Sequence, residues 1–299
     1  MKLVGSKFLD PEILSKIPNL ELVARRLVEG VFVGYHKSPQ LGYSVEFVDH
    51  RDYVAGDDLR TVDWRVWARK DKYYVKRFEM ESQLKATILL DTSKSMDFGE
   101  GRISKLTYGS IMAASLAYLV IHQNDMAGLV TFDKKIQSYI GARGSRTHLR
   151  AILHTLGNVQ PGPSTNVGEV CHHLAETILS RGMIIVISDL LDDPESLLHG
   201  LRHFQHKKHD VCVFHVLDDA ELDFNYTEIA NFRDIESGGR LAVDPPAFRA
   251  TYKSRLDQYL TKLRDGCQHS GIEYNLVRTS RPIEKTLADY ITFRSRRSR

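Results

Sequence analysis

Two aspartates stand at the ends of apolar runs nearly a hundred positions apart. Thr87-Ile-Leu-Leu-Asp91 is followed by Ser93 and Ser95, two and four residues on. Met183-Ile-Ile-Val-Ile-Ser188 runs into Asp189 in the same way. A short continuous apolar run reads as a strand buried on both faces. One carboxylate and two hydroxyls within a few residues of backbone make three hard oxygen ligands. Such a set suits Mg²⁺, which prefers octahedral oxygen coordination and keeps several waters. The bland alternative is that Asp91, Ser93 and Ser95 cap the chain that follows, as Asp and Ser commonly do.

The elements that must position these residues follow a strand–helix rhythm. Strands are expected at 86–90, 128–132, 136–140, 183–187, 211–216 and 274–277. Helices are expected at 104–122, 147–156, 167–179, 195–204, 248–268 and 283–293. Repeated units of this kind imply α/β architecture: a doubly wound, mostly parallel sheet with helices on both faces. In the strand order 3-2-1-4-5-6, strands one and four are neighbours at the topological switch point, where ligands bind. Asp91 and Asp189 would then flank one crevice, where two unpaired carboxylates repel and a divalent cation is the natural remedy.

D-x-S-x-S resembles the metal-ion-dependent adhesion site (MIDAS) of von Willebrand A-type domains, a Rossmann-type fold. That family also needs a loop threonine and a later aspartate at a strand end. Thr165, in the turn-rich Pro161-Gly-Pro-Ser-Thr165-Asn166, and Asp189 match these. The resemblance implies Mg²⁺ (with Mn²⁺ as the substitute) bound directly by Ser93 and Ser95 beside Asp91. It implies Thr165 bound directly or through water, Asp189 mostly through water, and one position open to a partner's carboxylate. Many members carry glycine after the last aspartate; here Leu190 stands there.

A second constellation precedes the sheet. Gly56-Asp57-Asp58-Leu-Arg60-Thr-Val-Asp63-Trp64 runs on through Trp67 to Arg69. The residue types suggest an aromatic anchor with Arg60 or Arg69 forked onto Asp57, Asp58 or Asp63. A docking surface is the functional alternative, because Trp and Arg are enriched in binding hot spots. Together with Val75-Lys-Arg-Phe78-Glu79 and the D-x-S-x-S-M run, this stretch is similar to a bacterial family called domain of unknown function 58. That resemblance spans roughly residues 30 to 280. It implies a von Willebrand A-like protein working beside a MoxR-type AAA+ ATPase, in assembling metal centres or complexes around an unknown client. Many of that family's relatives carry N-terminal membrane helices; this chain shows none.

The expected organisation is an N-terminal helical and β extension over 1–85, with a helix near 8–29 broken at Pro18 and short strands from Val31. The von Willebrand A-like domain covers 86–292, with a hairpin insertion near 221–244, and a basic tail covers 293–299. The chain has 299 residues, 42% of them hydrophobic and 26% charged, which is ordinary globular composition. A net charge of +3 gives no reason to expect nucleic acid. No apolar run reaches the roughly 18 residues of a membrane span. With no signal-peptide pattern either, a cytoplasmic protein is expected. Cys171, Cys212 and Cys267 are widely spaced, and Cys212 reads as a reduced core residue. No phosphate-binding loop is present, so ATP hydrolysis is not expected of this chain. His203-x-x-His206-x-x-His209 reads as a solvated helix end rather than a metal site. The function expected is a metal-dependent protein-binding adaptor, not an enzyme. The alternatives are a metal-dependent hydrolase, in which Asp97 or Asp192 would serve as base, and a metal-free interaction domain.

Overall fold

The computed structural model describes residues 19–35, 47–54, 62–70, 72–78, 83–100, 103–163, 166–227, 230–233 and 239–297. In chain order these form α1 (Leu20–Tyr35), β1 (Phe47–Asp52), α2 (Trp64–Lys70), β2 (Tyr74–Phe78), β3 (Lys85–Asp91), α3 (Lys105–His122), β4 (Met126–Phe132), β5 (Ile136–Arg143), α4 (Arg146–Gly157), α5 (Val167–Thr177) and β6 (Met183–Ser188). Then come α6 (Pro194–His206), β7 (Asp210–Leu217), α7 (Asp219–Asp223), β8 (Ala230–Arg233), β9 (Arg240–Val243), α8 (Pro245–His269), β10 (Glu273–Arg278) and α9 (Ile283–Arg297).

The central sheet has six strands in the order β10-β7-β6-β3-β4-β5. All pair in parallel except β5, which turns back antiparallel on β4. This is the doubly wound α/β sheet that the strand–helix rhythm implies, with β3 and β6 adjacent at the switch point. Its central strands are buried along almost their whole length, so both faces carry apolar side chains. Period-two alternation sends Ile88, Leu90, Ile185 and Ile187 into one core with residues of α1, α3, α4 and α9. Leu89, Ile184, Val186 and Val213 enter the opposite core beneath α5, α6 and α8.

The chain divides into two compact units, residues 1–35 with 84–299, and residues 36–83. This differs from a single extension over 1–85. Val23, Leu27 and Val31 form a buried stripe at helical spacing and pack in the core with α3, so α1 belongs to the sheet unit. α1 continues past Val31 to Tyr35, where short strands are expected from the sequence. The helix expected before Pro18 lies outside the described residues. The second unit pairs β1 with β2 antiparallel, and Val62 bridges to Val75. The insertion forms the expected hairpin of β8 and β9, preceded by the short helix α7. The closing helix runs past Phe293 into the stretch taken as a basic tail, and Arg294 comes within 3.8 Å of Asp210 and 3.9 Å of Glu273. Among the described residues, no helix is long and apolar enough to cross a membrane. All three cysteines are free and buried.

Candidate functional site

Parallel pairing of β3 with β6 matches Leu90 to Ile187. One step further along both strands brings Asp91 beside Ser188, and Ser188 Oγ donates to Asp91 Oδ2 at 2.6 Å. The other carboxylate oxygen, Oδ1, accepts from the Ser93 amide at 2.9 Å. Thr92 pins the loop to β4, because its amide and its hydroxyl both donate to the Phe132 carbonyl, at 2.7 and 2.9 Å. A short turn at Lys94–Asp97 then buries Met96 completely and holds Ser95 against the site. The Ser93 and Ser95 hydroxyls are hydrogen-bonded to each other at 2.9 Å.

Asp189 follows β6 on the side facing α3. Its Oδ2 accepts from Lys105 Nζ at 2.7 Å, and its Oδ1 from the Leu191 amide at 3.3 Å. Lys105 opens α3 behind the N-cap Ser104, and its side chain is completely buried. The same ammonium donates to Glu221 Oε1 at 2.6 Å and lies 5.7 Å from the centre of the Phe98 ring. Glu221 belongs to α7, where its other oxygen accepts from the Asp218 amide in a capping box.

Leu190 occupies the place where glycine is common in the superfamily. It has φ +51°, a left-handed conformation, and its side chain is buried in the core beneath α6. The turn is therefore the kind glycine favours, made here with a leucine that anchors it. The Tyr259 hydroxyl, from α8, donates to the carbonyls of Leu190 and Asp192.

Thr165 lies outside the described residues, but both flanks of its loop are placed. The Gly162 amide donates to the Thr92 carbonyl at 2.6 Å, and Asn166 caps α5 by accepting from the Glu169 amide. A side chain at Gly162 would meet Asp133, since a Cβ there would fall 2.1 Å from Asp133 Oδ2.

Asp91 and Asp189 are fully buried. Burial first, and then the nearby Asp189 charge, pushes the Asp91 carboxyl up to about 7, against the hydrogen bonds from Ser188 and Ser93. Burial pulls the Lys105 ammonium down, but Asp189 and Glu221 outweigh it and hold its pKa above the ordinary lysine value. Glu221 still titrates above the usual carboxylate range because burial exceeds the help from Lys105. With all groups ionised, the crevice holds three carboxylates against one ammonium, an excess of two negative charges. The donors fit a small hard cation. Two ligands on one edge of an octahedron with ~2.0–2.1 Å bonds lie about 2.9 Å apart, which is the spacing of the Ser93 and Ser95 hydroxyls. Asp91 also keeps lone pairs beyond its two accepted hydrogen bonds.

Reasoning from sequence missed Lys105, Glu221 and Ser188. One signal for Lys105 was present. A lysine in the first turn of a helix opposes the macrodipole and calls for a compensating anion.

In the second unit Asp63 is buried and serves α2, accepting from the Val66 amide at 3.3 Å. Trp64 packs edge-on to Trp67 at 6.2 Å, and Trp67 stacks on Tyr73 at 6.0 Å. Trp64, Trp67, Tyr73 and Arg69 are exposed, so the tryptophans form a surface cluster rather than a buried anchor. Gly56, Asp57, Asp58 and Arg60 lie outside the described residues. The histidines at the end of α6 part company. His209 is buried against the Gly182 amide and the Ile178 carbonyl, whereas His203 pairs with His172 and Glu176.

A doubly wound α/β sheet with an oxygen-rich crevice at its switch point defines the class. The chain belongs to the family described as Protein of unknown function DUF58, whose model matches residues 49–260. This is the family that the Gly56–Arg69 stretch and the D-x-S-x-S run resemble. Relatives in Mycobacterium tuberculosis and Mycobacterium bovis, both described as uncharacterized, are each 26% identical over 295 residues, covering 97% of this chain and 91% of theirs. Among solved structures, the chain is similar to the conserved hypothetical protein BatB from Bacteroides thetaiotaomicron. That match has a TM-score of 0.48 and 16% identity, over 71% of this chain and 99% of that one. The SpRpn10 VWA domain matches at a TM-score of 0.38 and 12% identity, over 69% of this chain and 94% of that one.

Proposed function

We propose that this protein is a von Willebrand A-type adaptor that binds a partner through a divalent cation held at the switch point. Asp91, Ser93 and Ser95 would hold Mg²⁺, or Mn²⁺ in its place, with Thr165 joining directly or through water and Asp189 through water. The observation that carries this reading is the pair of serine hydroxyls 2.9 Å apart beside a buried, undercompensated Asp91. When bound, the cation supplies an electrophilic position for an incoming carboxylate. The chain's own residues orient that position: Thr92 fixes the loop to β4, Ser188 aims the Asp91 carboxylate, and Tyr259 holds the Leu190 turn. The expected partner is a MoxR-type AAA+ ATPase acting on a client protein in the cytoplasm. This part of the reading rests on the family resemblance.

The hydrolase alternative would use Asp192 or Asp97 as its base. Asp192 is engaged with the Asp193 amide and, at 3.4 Å, with the Gly168 amide at the start of α5, while Asp97 is exposed. The test is binding of the purified ATPase to the purified protein in Mg²⁺ and in EDTA. Binding should be lost in EDTA and in Ser93→Ala, with circular dichroism unchanged. Equal binding in EDTA would move the interface elsewhere, first to the exposed tryptophans of the second unit.

A further inference from the structure

Lys105 is the one cation buried in the crevice among the described residues, and no motif accounts for it. Its ammonium is shared between Asp189 at 2.7 Å and Glu221 at 2.6 Å, and it has no access to solvent. A lysine normally spreads its charge into water. Here both partners are carboxylates, and one of them is the aspartate beside the proposed metal position. We propose that Lys105 is a tethered cation that sets the affinity and charge of the site. By occupying Asp189, it keeps that carboxylate off the bound ion and leaves Asp91 as the single anionic ligand. This rests on the divalent-cation reading above and deepens it.

Two consequences follow from charge alone. A divalent ion enters a crevice already partly neutralised by a fixed ammonium, so its affinity is held down. Once bound, the ion keeps more of its positive charge for an acidic side chain on the partner. Glu221 works in the opposite sense to Lys105. It adds negative charge near the site and shares the ammonium, which weakens the lysine's hold on Asp189. Lys105 and Glu221 are therefore positioning residues with opposed effects on cation affinity.

The experiment is titration of EDTA-stripped protein with Mn²⁺, followed by electron paramagnetic resonance of the free ion, on wild type, Lys105→Met and Glu221→Gln. The expected result is at least tenfold tighter Mn²⁺ binding in Lys105→Met and roughly threefold weaker binding in Glu221→Gln. Thermal unfolding in EDTA and in Mn²⁺ is measured alongside, and Lys105→Met should gain more from Mn²⁺ than wild type does. If Lys105→Met does not fold without the ion, it is refolded in Mn²⁺, and Glu221→Gln gives an independent answer, because a purely structural ion pair would leave its affinity unchanged. Wild-type binding with unchanged or weaker binding in Lys105→Met overturns the role of Lys105 and leaves the metal reading standing. Binding in Lys105→Met but not in wild type supports Lys105 and overturns the metal reading for the native protein. No binding in any variant overturns both.

Discussion

Asp91 and Asp189 leave neighbouring strands and are equally buried, yet the fold holds them by opposite means. Asp91 accepts from an amide and a hydroxyl, both uncharged. Asp189 accepts from an ammonium. Hydrogen bonds from neutral donors direct a carboxylate without cancelling its charge, so the Asp91 carboxyl is pushed up to about 7. An internal cation cancels charge and fixes geometry together. Asp189 is thus neutralised from within the fold, whereas Asp91 is not, and on the proposed reading Asp91 is the side that takes an outside cation.

The largest expected effect breaks the Asp189 side. Lys105→Met in EDTA leaves Asp189 and Glu221 buried without their shared cation. Loss of about 3–5 kcal/mol in urea unfolding is expected. A loss below about 1 kcal/mol would mean that the crevice opens to water when the lysine is removed.

The Asp91 side should show itself through pH. Its folded pKa lies above the ordinary value of 3.8. The folded state therefore holds a proton that the unfolded state has released, and the resulting stability is present below about pH 4. It is lost as pH rises through about 7. The magnitude is on the order of 4 kcal/mol. Urea midpoints of the metal-free protein should fall over this range, while Asp91→Asn should remove that part of the slope and be the more stable protein at pH 8. Parallel pH profiles for the two proteins would show that Asp91 is already compensated.

A smaller effect separates backbone from side chain at Leu190. Leu190→Ala loses buried apolar contacts but keeps the left-handed strain. Leu190→Gly loses the same contacts and relieves it. The glycine variant should be the more stable by about 1 kcal/mol, the reverse of the usual order. Chemical denaturation of the pair decides this.

The smallest effect belongs to the second unit. Trp64→Ala removes one edge-on aromatic contact from a surface cluster. It should cost less than about 1 kcal/mol by thermal unfolding. A larger loss would make this cluster a structural anchor after all.

Much of this was legible in the sequence, because periodicity reports burial. Apolar runs ending in Asp91 and Asp189 gave the central strands, and the doubly wound rule gave the order that brings them together. What could not be read depends on where side chains end rather than where they begin. Ser188 matters because register, not spacing, places it opposite Asp91. Lys105 resembles any lysine at a helix start, and its partner Glu221 lies 116 positions away in a segment that interrupts the strand–helix rhythm. The left-handed turn at Leu190 is hidden because its residue type argues against it. The extension of α1 past Val31 was missed because the turn residues beyond it read as a change to short strands, while Val23, Leu27 and Val31 continue one buried helical stripe.

The most direct measurement is calorimetric titration of EDTA-stripped protein with Mg²⁺ at pH 7, in two buffers that differ in protonation heat. A cation taken up beside a partly protonated Asp91 should give a saturable heat that differs between the buffers, because binding displaces the Asp91 proton. Asp91→Asn should lose the proton release and most of the affinity. Heats of dilution alone in the wild-type protein, in both buffers, would contradict a divalent-cation site at this switch point.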